Sequence, residues 1–428
     1  MTSPKRILIV GGGGREHALA WRCRSEGHEV HVAPGNPGIA EDATCHPVAA
    51  GDIDGLLKLA MQLGVDLVLI GPEKPLVDGL ADRLQHLGIP TVGPSSAAAE
   101  LEGSKAAAKA FMARHGIPTA AYRTVAHLED GLTALKSFEH PPVVKASGLA
   151  GGKGVTVPDT FEQAEAAVRE CLDGGRFGVA GSTVVLEERL YGQEVSLFII
   201  TDGQACITLD GAQDHKRLLD GGAGPNTGGM GAYGPAPVFT EALREQTMAR
   251  IVEPTLAGLR SEGRPFVGVL FVGLILTQEG PYVIEYNCRF GDPETQPLLF
   301  GLTSPLVPHL VAAAEGRIQP GRLTSMPAVN VVLAAEGYPR RPVAGAVIRG
   351  LEDVAQLPDV KVFHAGTARD DADGKWRTAG GRVVGVCAKG SDLASAIKLA
   401  YEACEKIEFE GMQRRSDIGV CALTHTPG

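Results

Sequence analysis

The chain has 428 residues, 50 acidic against 40 basic side chains, a formal net charge of −10, and a content of 44% hydrophobic and 21% charged residues. A chain of this length builds roughly two to four domains with substantial cores. Its acidic balance excludes a general nucleic-acid binder, which needs a basic face, but leaves room for a local cationic pocket.

No stretch approaches the roughly 18 apolar residues of a membrane span. The opening MTSPKRILIVGGGG has too short an apolar run for a signal peptide. The eight cysteines are scattered without a C-x-x-C pair, which argues against a zinc or disulfide framework and for a reducing compartment. A cytoplasmic protein without membrane or nucleic-acid partners is expected.

The first hundred residues alternate as a doubly wound α/β fold does. Strands are expected at 6–10, 29–33 and 67–70, helices at 15–25, 53–63 and 76–87, and a short strand end at 90–93. Residues 7–20, ILIVGGGGREHALA, run strand, glycine loop, helix, the geometry of anion binding at a helix N-terminus. The dinucleotide fingerprint fails: Glu16 or His17 stands where the third glycine belongs, and the second strand ends without an acid. Gly13, Gly14 and Arg15 instead suit the phosphate of a small substrate, which Arg15 could grip bidentately; a structural turn is the alternative. For His17 a structural role at the helix start is preferred.

A helix opens at Lys105 with Ser104 as N-cap and stops before Gly116 and Pro118. This sets the first domain boundary at 103/104. Residues 143–157, VVKASGLAGGKGVTV, are not a P-loop, because Gly154 follows Lys153 and Ser147 replaces the first glycine. They read as a hairpin flap with Lys145 on its first strand and glycines that let N–H groups approach a ligand. Such a hairpin is as readily a plain turn as an anion cradle. In residues 184–200, VVLEERLYGQEVSLFII, a strand delivers Glu187 and Glu188, with Glu194 before the next strand. Alone this reads as a charged turn; it also fits an adenine amino group and ribose hydroxyls.

Residues 212–237 form a long polar, glycine-rich segment that is expected to be a functional loop, with charge concentrated at Asp214, His215, Lys216 and Arg217. Residues 281–299, PYVIEYNCRFGDPETQPLL, carry the sharpest signal. Glu285, Asn287 and Arg289 share one side of an extended chain. A carboxylate beside an amide oxygen is a hard pair for Mg²⁺, and a buried row of this kind without a ligand would need several compensating partners. The last hundred residues read as short β-prone runs with one helix at 392–406.

Lys105, Lys145 with its SGLAGGKG flap, the Glu187–Glu194 linker and the Glu285-x-Asn287-x-Arg289 row stand in the order of an ATP-grasp ligase. The chain resembles the phosphoribosylamine–glycine ligases (glycinamide ribonucleotide synthetases) of purine synthesis nearly end to end: GGREHALAW, VAPGN, IGPEKPLVDGL, LEGSK, GLAGGKGV, QDHKR, GPNTGGMGAY, NCRFGDPETQ, HAGT and GGRV. Ser147 departs from an expected Asp. The strand GVLFVGLIL lacks an acid that many ATP-grasp enzymes carry before the metal row.

The resemblance implies an α/β ATP-grasp fold in several parts. These are a doubly wound parallel-sheet domain (1–103), an ATP-grasp region (104–325) comprising a small α+β flap unit (about 120–190) and a central α+β unit (about 191–325), and a C-terminal β-rich cap (326–428). It implies ATP as co-substrate, Mg²⁺ or Mn²⁺, and glycine and 5-phosphoribosylamine as substrates of a monomer. Lys105, Lys145, Gly148, Gly151, Gly152, Glu187, Glu188, Leu190 and Glu194 would hold ATP. Glu285 and Asn287 would hold the metal. Gly13, Gly14, Arg15, Pro72, Glu73, Asp214 and Arg289 would meet substrate. Arg289, Asp214 and Lys145 would act in the chemistry.

Overall fold

A computed structural model describes residues 3–151, 153–173, 175–370 and 372–423. The apolar strand Arg6–Gly11 lies at the centre of a five-stranded, all-parallel sheet. Its order is Thr44–Cys45, Glu29–Pro34, Arg6–Gly11, Leu67–Ile70, Thr91–Val92. The order reverses between Arg6–Gly11 and Leu67–Ile70, so the loops after these two strands flank the switch-point crevice where such sheets bind ligands. Both strands are almost fully buried, as parallel strands covered on both faces must be.

The helix expected over 76–87 is two helices, Glu73–Val77 and Leu80–His86. Gly79 separates them at φ +86°, a left-handed turn that ends the first helix. The first helix begins at Glu73, separated from the Leu67–Ile70 strand by two residues, with Pro72 as its N-cap.

An antiparallel sheet of Tyr122–Val125, Val184–Glu187, Val143–Ala146 and Val155–Thr156 forms the flap unit. Helices Leu128–Leu135 and Phe161–Leu172 cover it. It has its own core around Val144, Val168, Val184 and Leu186, each side chain contributing roughly 1.5–3 kcal/mol on burial. A second five-stranded sheet follows: Gly280–Asn287, Val267–Thr277, Gln193–Asp202, Cys206–Leu209, Gly321–Leu323.

The segment 212–237 is not a free loop. Arg217–Leu219 and Ala223–Asn226 form a hairpin, and Gln213–Asp214 and Gly231–Gly234 extend the C-terminal sheet through Ala328–Ala334 to Arg382–Lys389 and Val360–His364. These pairings use backbone groups alone, so glycine-rich strands can join without an apolar pattern. The C-terminal sheet thus begins well before residue 326. Among the described residues no helix is long and apolar enough to cross a membrane.

Candidate active site

The glycine loop packs tightly. A Cβ on Gly12 would lie 2.5 Å from Gly35 O, and one on Gly14 would lie 2.7 Å from Gln296 Nε2. Helix Gly14–Ser25 starts at the crevice, and Glu16 Oε2 accepts the Gly13 N–H at 2.7 Å. Arg15 is buried; its Nε meets Glu16 Oε1 at 2.5 Å and its Nη1 donates to Phe290 O at 3.1 Å. The first loop therefore touches the segment that carries Arg289. His17 stands apart from the crevice: Nδ1 accepts the His364 N–H at 2.8 Å and Nε2 meets Asp42 Oδ2 at 3.1 Å. It fastens the C-terminal unit to the first helix.

Arg289 is the hub of the crevice. Nη2 donates to Glu102 Oε1 at 2.7 Å and to Asn287 Oδ1 at 3.3 Å, and Nε stands 3.5 Å from Glu73 Oε2. Glu102 Oε2 accepts the Cys288 N–H at 2.7 Å. Burial would raise Glu73, but Arg289 foremost holds it below the usual range. Burial keeps Glu102 high despite Arg289. Asp292 receives Gln296 Nε2 at 3.0 Å and Arg382 Nη2 at 3.3 Å. Asn36 Nδ2 bridges Gly12 O (2.9 Å) and His364 O (3.1 Å). Sequence reasoning passed over Glu102, Asp292, Asn36 and Arg382, although all four sit in the quoted motifs LEGSK, NCRFGDPETQ, VAPGN and GGRV.

On the other side, Lys105 starts the helix Lys105–Arg114. Ser104 caps it, and Ser147 Oγ accepts the Ala106 N–H at 3.0 Å. Burial lowers the Lys105 ammonium, against the pull of Glu285. Lys145 Nζ lies 2.9 Å from Glu187 Oε2, and the same oxygen takes Lys109 Nζ at 3.0 Å. Glu187 Oε2 is thus shared by two lysines.

Glu188 is exposed, its N–H donating to Ala121 O at 2.8 Å. Leu190 is half-buried. Glu194 is exposed and pairs with Lys216 at 2.6 Å. In the flap, the Gly148 N–H is taken by Ala180 O at 3.0 Å, and a Cβ there would lie 2.6 Å from Ala180 Cα, so close packing explains this glycine. Gly151 is exposed at φ +57°. Gly152 lies outside the described residues.

Glu285 connects the two sides. Burial would raise its carboxyl; Lys216, Lys145, Lys105 and Arg289 outweigh that and hold it low. Asp214 is pushed up by burial, with Glu194 and Glu285 adding and Lys216 opposing. Burial and Asp214 raise Glu294 to about 7. His215 is lowered to about 4 by burial and Arg415, so it is neutral near pH 7.

Opposite Glu285 in the sheet stands Gly273, where a Cβ would come within 3.2 Å of Glu285 Cγ; the glycine leaves room for that side chain. Among the described residues no three His, Cys, Asp or Glu side chains group as a metal site. Two hard oxygens, Glu285 and Asn287, fit a cation that takes its remaining ligands from phosphate and water, as Mg²⁺ does.

Three family models match the chain: the Phosphoribosylglycinamide synthetase N domain over residues 5–102, its ATP-grasp (A) domain over 103–295 and its C domain over 328–421. The phosphoribosylamine–glycine ligase of Phenylobacterium zucineum is 53% identical over 97% of this chain and 99% of its own length. That of Caulobacter vibrioides is 50% identical over 97% and 98%. The crystal structure of the phosphoribosylamine–glycine ligase from Thermotoga maritima has a TM-score of 0.84 at 36% identity, covering 96% of this chain and 100% of that one. A biotin carboxylase domain from Hydrogenobacter thermophilus shares the fold, with a TM-score of 0.72 at 17% identity.

Proposed function

The chain belongs to the phosphoribosylglycinamide synthetase family; it is an ATP-dependent ligase of purine biosynthesis, and we propose that its two residue clusters divide the work of joining glycine to 5-phosphoribosylamine. The observation that carries this division is that Lys145 Nζ reaches Ile284 O at 3.3 Å, next to Glu285, while Arg289 Nη2 meets Asn287 Oδ1 at 3.3 Å and Glu102 Oε1 at 2.7 Å.

Lys105, Lys145 and Lys216 neutralise the ATP phosphates, since phosphoryl transfer asks for positioning and charge balance more than covalent help. Glu188, Leu190 and Glu194 line the nucleoside end, and the flap from Gly148 to Gly151 closes over the phosphates and excludes water. Glu285 and Asn287 would hold Mg²⁺ or Mn²⁺, which neutralises phosphate charge when bound.

The glycine carboxylate attacks the γ-phosphorus, giving glycyl phosphate and ADP. The amine of phosphoribosylamine then attacks the acyl carbon, and phosphate leaves. Arg289 stabilises the charge that develops on the transferring group. Gly13, Gly14 and Arg15 hold the sugar phosphate at the helix N-terminus, with Pro72 and Glu73 across the crevice. Asp214 orients the attacking amine. The enzyme acts on small molecules, as a cytoplasmic monomer.

The test is ADP release with Mg-ATP, glycine and phosphoribosylamine generated in the cuvette, each omitted in turn. Release that needs all three is expected. Release with glycine and a different amine would point to another carboxylate–amine ligase; ATP binding without turnover would point to a nucleotide-binding module.

A further inference from the structure

One buried carboxylate oxygen, Glu187 Oε2, is shared by two ammonium groups, Lys145 at 2.9 Å and Lys109 at 3.0 Å. Lys109 and Lys145 are 2% and 5% exposed and Glu187 is 4% exposed. Lys109 stands one helical turn after Lys105, on the same face of the helix Lys105–Arg114. Its remaining protons go to Thr119 Oγ1 at 2.7 Å and Ala120 O at 3.4 Å, and Thr119 Oγ1 donates to Val283 O at 2.7 Å. Lys145 in turn reaches Ile284 O at 3.3 Å, next to Glu285. The two lysines thus tie the flap sheet to the strand that carries the metal row.

A buried carboxylate facing a single lysine would form a neutral pair and hold that lysine to itself. A second lysine on the same oxygen leaves one net positive charge on the group. Charges in a poorly hydrated cleft act strongly, so this difference matters to a polyphosphate.

Resting on the ligase reading above, we infer that Lys109 is a positioning residue for phosphoryl transfer: by sharing Glu187 it keeps Lys145 aimed at the cleft with its positive charge available to the ATP phosphates. Lys109 itself is walled off by Glu187, Thr119 and the Tyr122 ring, 5.7 Å away, and acts through Lys145.

The test is a double-mutant cycle of Lys109→Met, Glu187→Gln and both together. It is read as kcat and KM for ATP and for glycine, with melting temperature and the affinity for a non-hydrolysable ATP analogue measured alongside. Lys109→Met is expected to lower kcat/KM for ATP at least ~10-fold, the scale of a charged hydrogen bond, with KM for glycine unchanged. The double variant is expected to be faster than Lys109→Met and within about twofold of Glu187→Gln alone, because Lys109 acts only through Glu187.

Additive losses, or a Lys109→Met protein with a lower melting temperature but wild-type kinetics, would overturn the inference. If Lys109→Met does not fold, the comparison of the double variant with Glu187→Gln still decides. Substrate dependence of the wild type is scored separately. If glycine or phosphoribosylamine proves dispensable, the ligase reading fails, while analogue affinity across the cycle still tests the link from Lys109 to Lys145.

Discussion

Ser147 Oγ accepts the backbone N–H of Ala106 at 3.0 Å, so the root of the flap caps the helix that presents Lys105. Ser147 N–H also donates to Thr183 O at 2.9 Å, and Ser147 O accepts the Lys105 N–H at 2.8 Å. Flap and helix therefore share one joint, and Ser147 sets where the two lysines proposed to meet the ATP phosphates stand.

Replacing Ser147 by Ala removes this cap and should cost about 1 kcal/mol of stability. KM for ATP should rise while kcat changes less, because the joint places Lys105 rather than reacting. Ser147→Asp keeps an acceptor at a helix N-terminus and should retain the wild-type melting temperature. Thermal denaturation and ATP titration of both variants check this; an Asp variant less stable than the Ala variant would contradict the capping role.

Glu285→Ala should lower turnover at least ~10²-fold at saturating metal, because it removes the charged group proposed to hold the metal at a phosphoryl-transfer site. The three lysines around it should make Glu285→Ala bind ATP without metal no worse than the wild type does. Steady-state kinetics and calorimetry with and without Mg²⁺ separate the two effects, and near-normal turnover would remove Glu285 from the metal site.

Arg15→Lys is the informative change in the first loop. Arg15→Ala would strand Glu16, only 3% exposed, as an unpaired buried carboxylate and confound binding with unfolding. The Lys variant keeps a charge but loses the bidentate fork. KM for phosphoribosylamine should rise about tenfold and ATP affinity should hold. An equal loss of ATP affinity would mean that the loop serves the nucleotide.

His17, His215 and His364 are all lowered by burial, His364 to about 3 and His215 to about 4. The native state keeps them neutral while the unfolded chain takes up protons below about pH 6.5, so the unfolded state binds more protons and stability drops as the pH is lowered. Each contributes a slope of up to about 1.4 kcal/mol per pH unit from about pH 6.5 down toward its native value. Urea midpoints at pH 7 and 5 should show the loss, and His364→Asn should flatten the slope by about one proton. An unchanged slope would mean His364 is protonated in the native state.

Arg382→Met should weaken the hold of the C-terminal unit on the substrate side. Arg382 Nη1 donates to Gly228 O at 2.5 Å and Asp292 O at 2.8 Å, and Nη2 pairs with Asp292. Losing it leaves Asp292 without its main cation. KM for phosphoribosylamine should rise several-fold with KM for ATP unchanged, measured in the same coupled assay.

The sequence by itself determined what is local. Alternation with period two put Glu285 and Asn287 on one side of the strand Gly280–Asn287, with Arg289 two residues beyond its end. The strand–glycine–helix run set Gly13 to Arg15 at a helix start, and the cap at Ser104 fixed where Lys105 begins its helix. Only the tertiary structure decided the partners. Glu187 meets Lys145 across 42 residues and Arg289 meets Glu102 across 187. Lys109, Glu102 and Lys216 look, in sequence, like ordinary charges on helices or in a polar loop. Nothing in a residue's neighbours along the chain reports which charge will lie 3 Å away once both lose water. The strands Gln213–Asp214 and Gly231–Gly234 were hidden for a related reason: backbone pairing recruits them, and backbone hydrogen bonds leave no side-chain pattern to read.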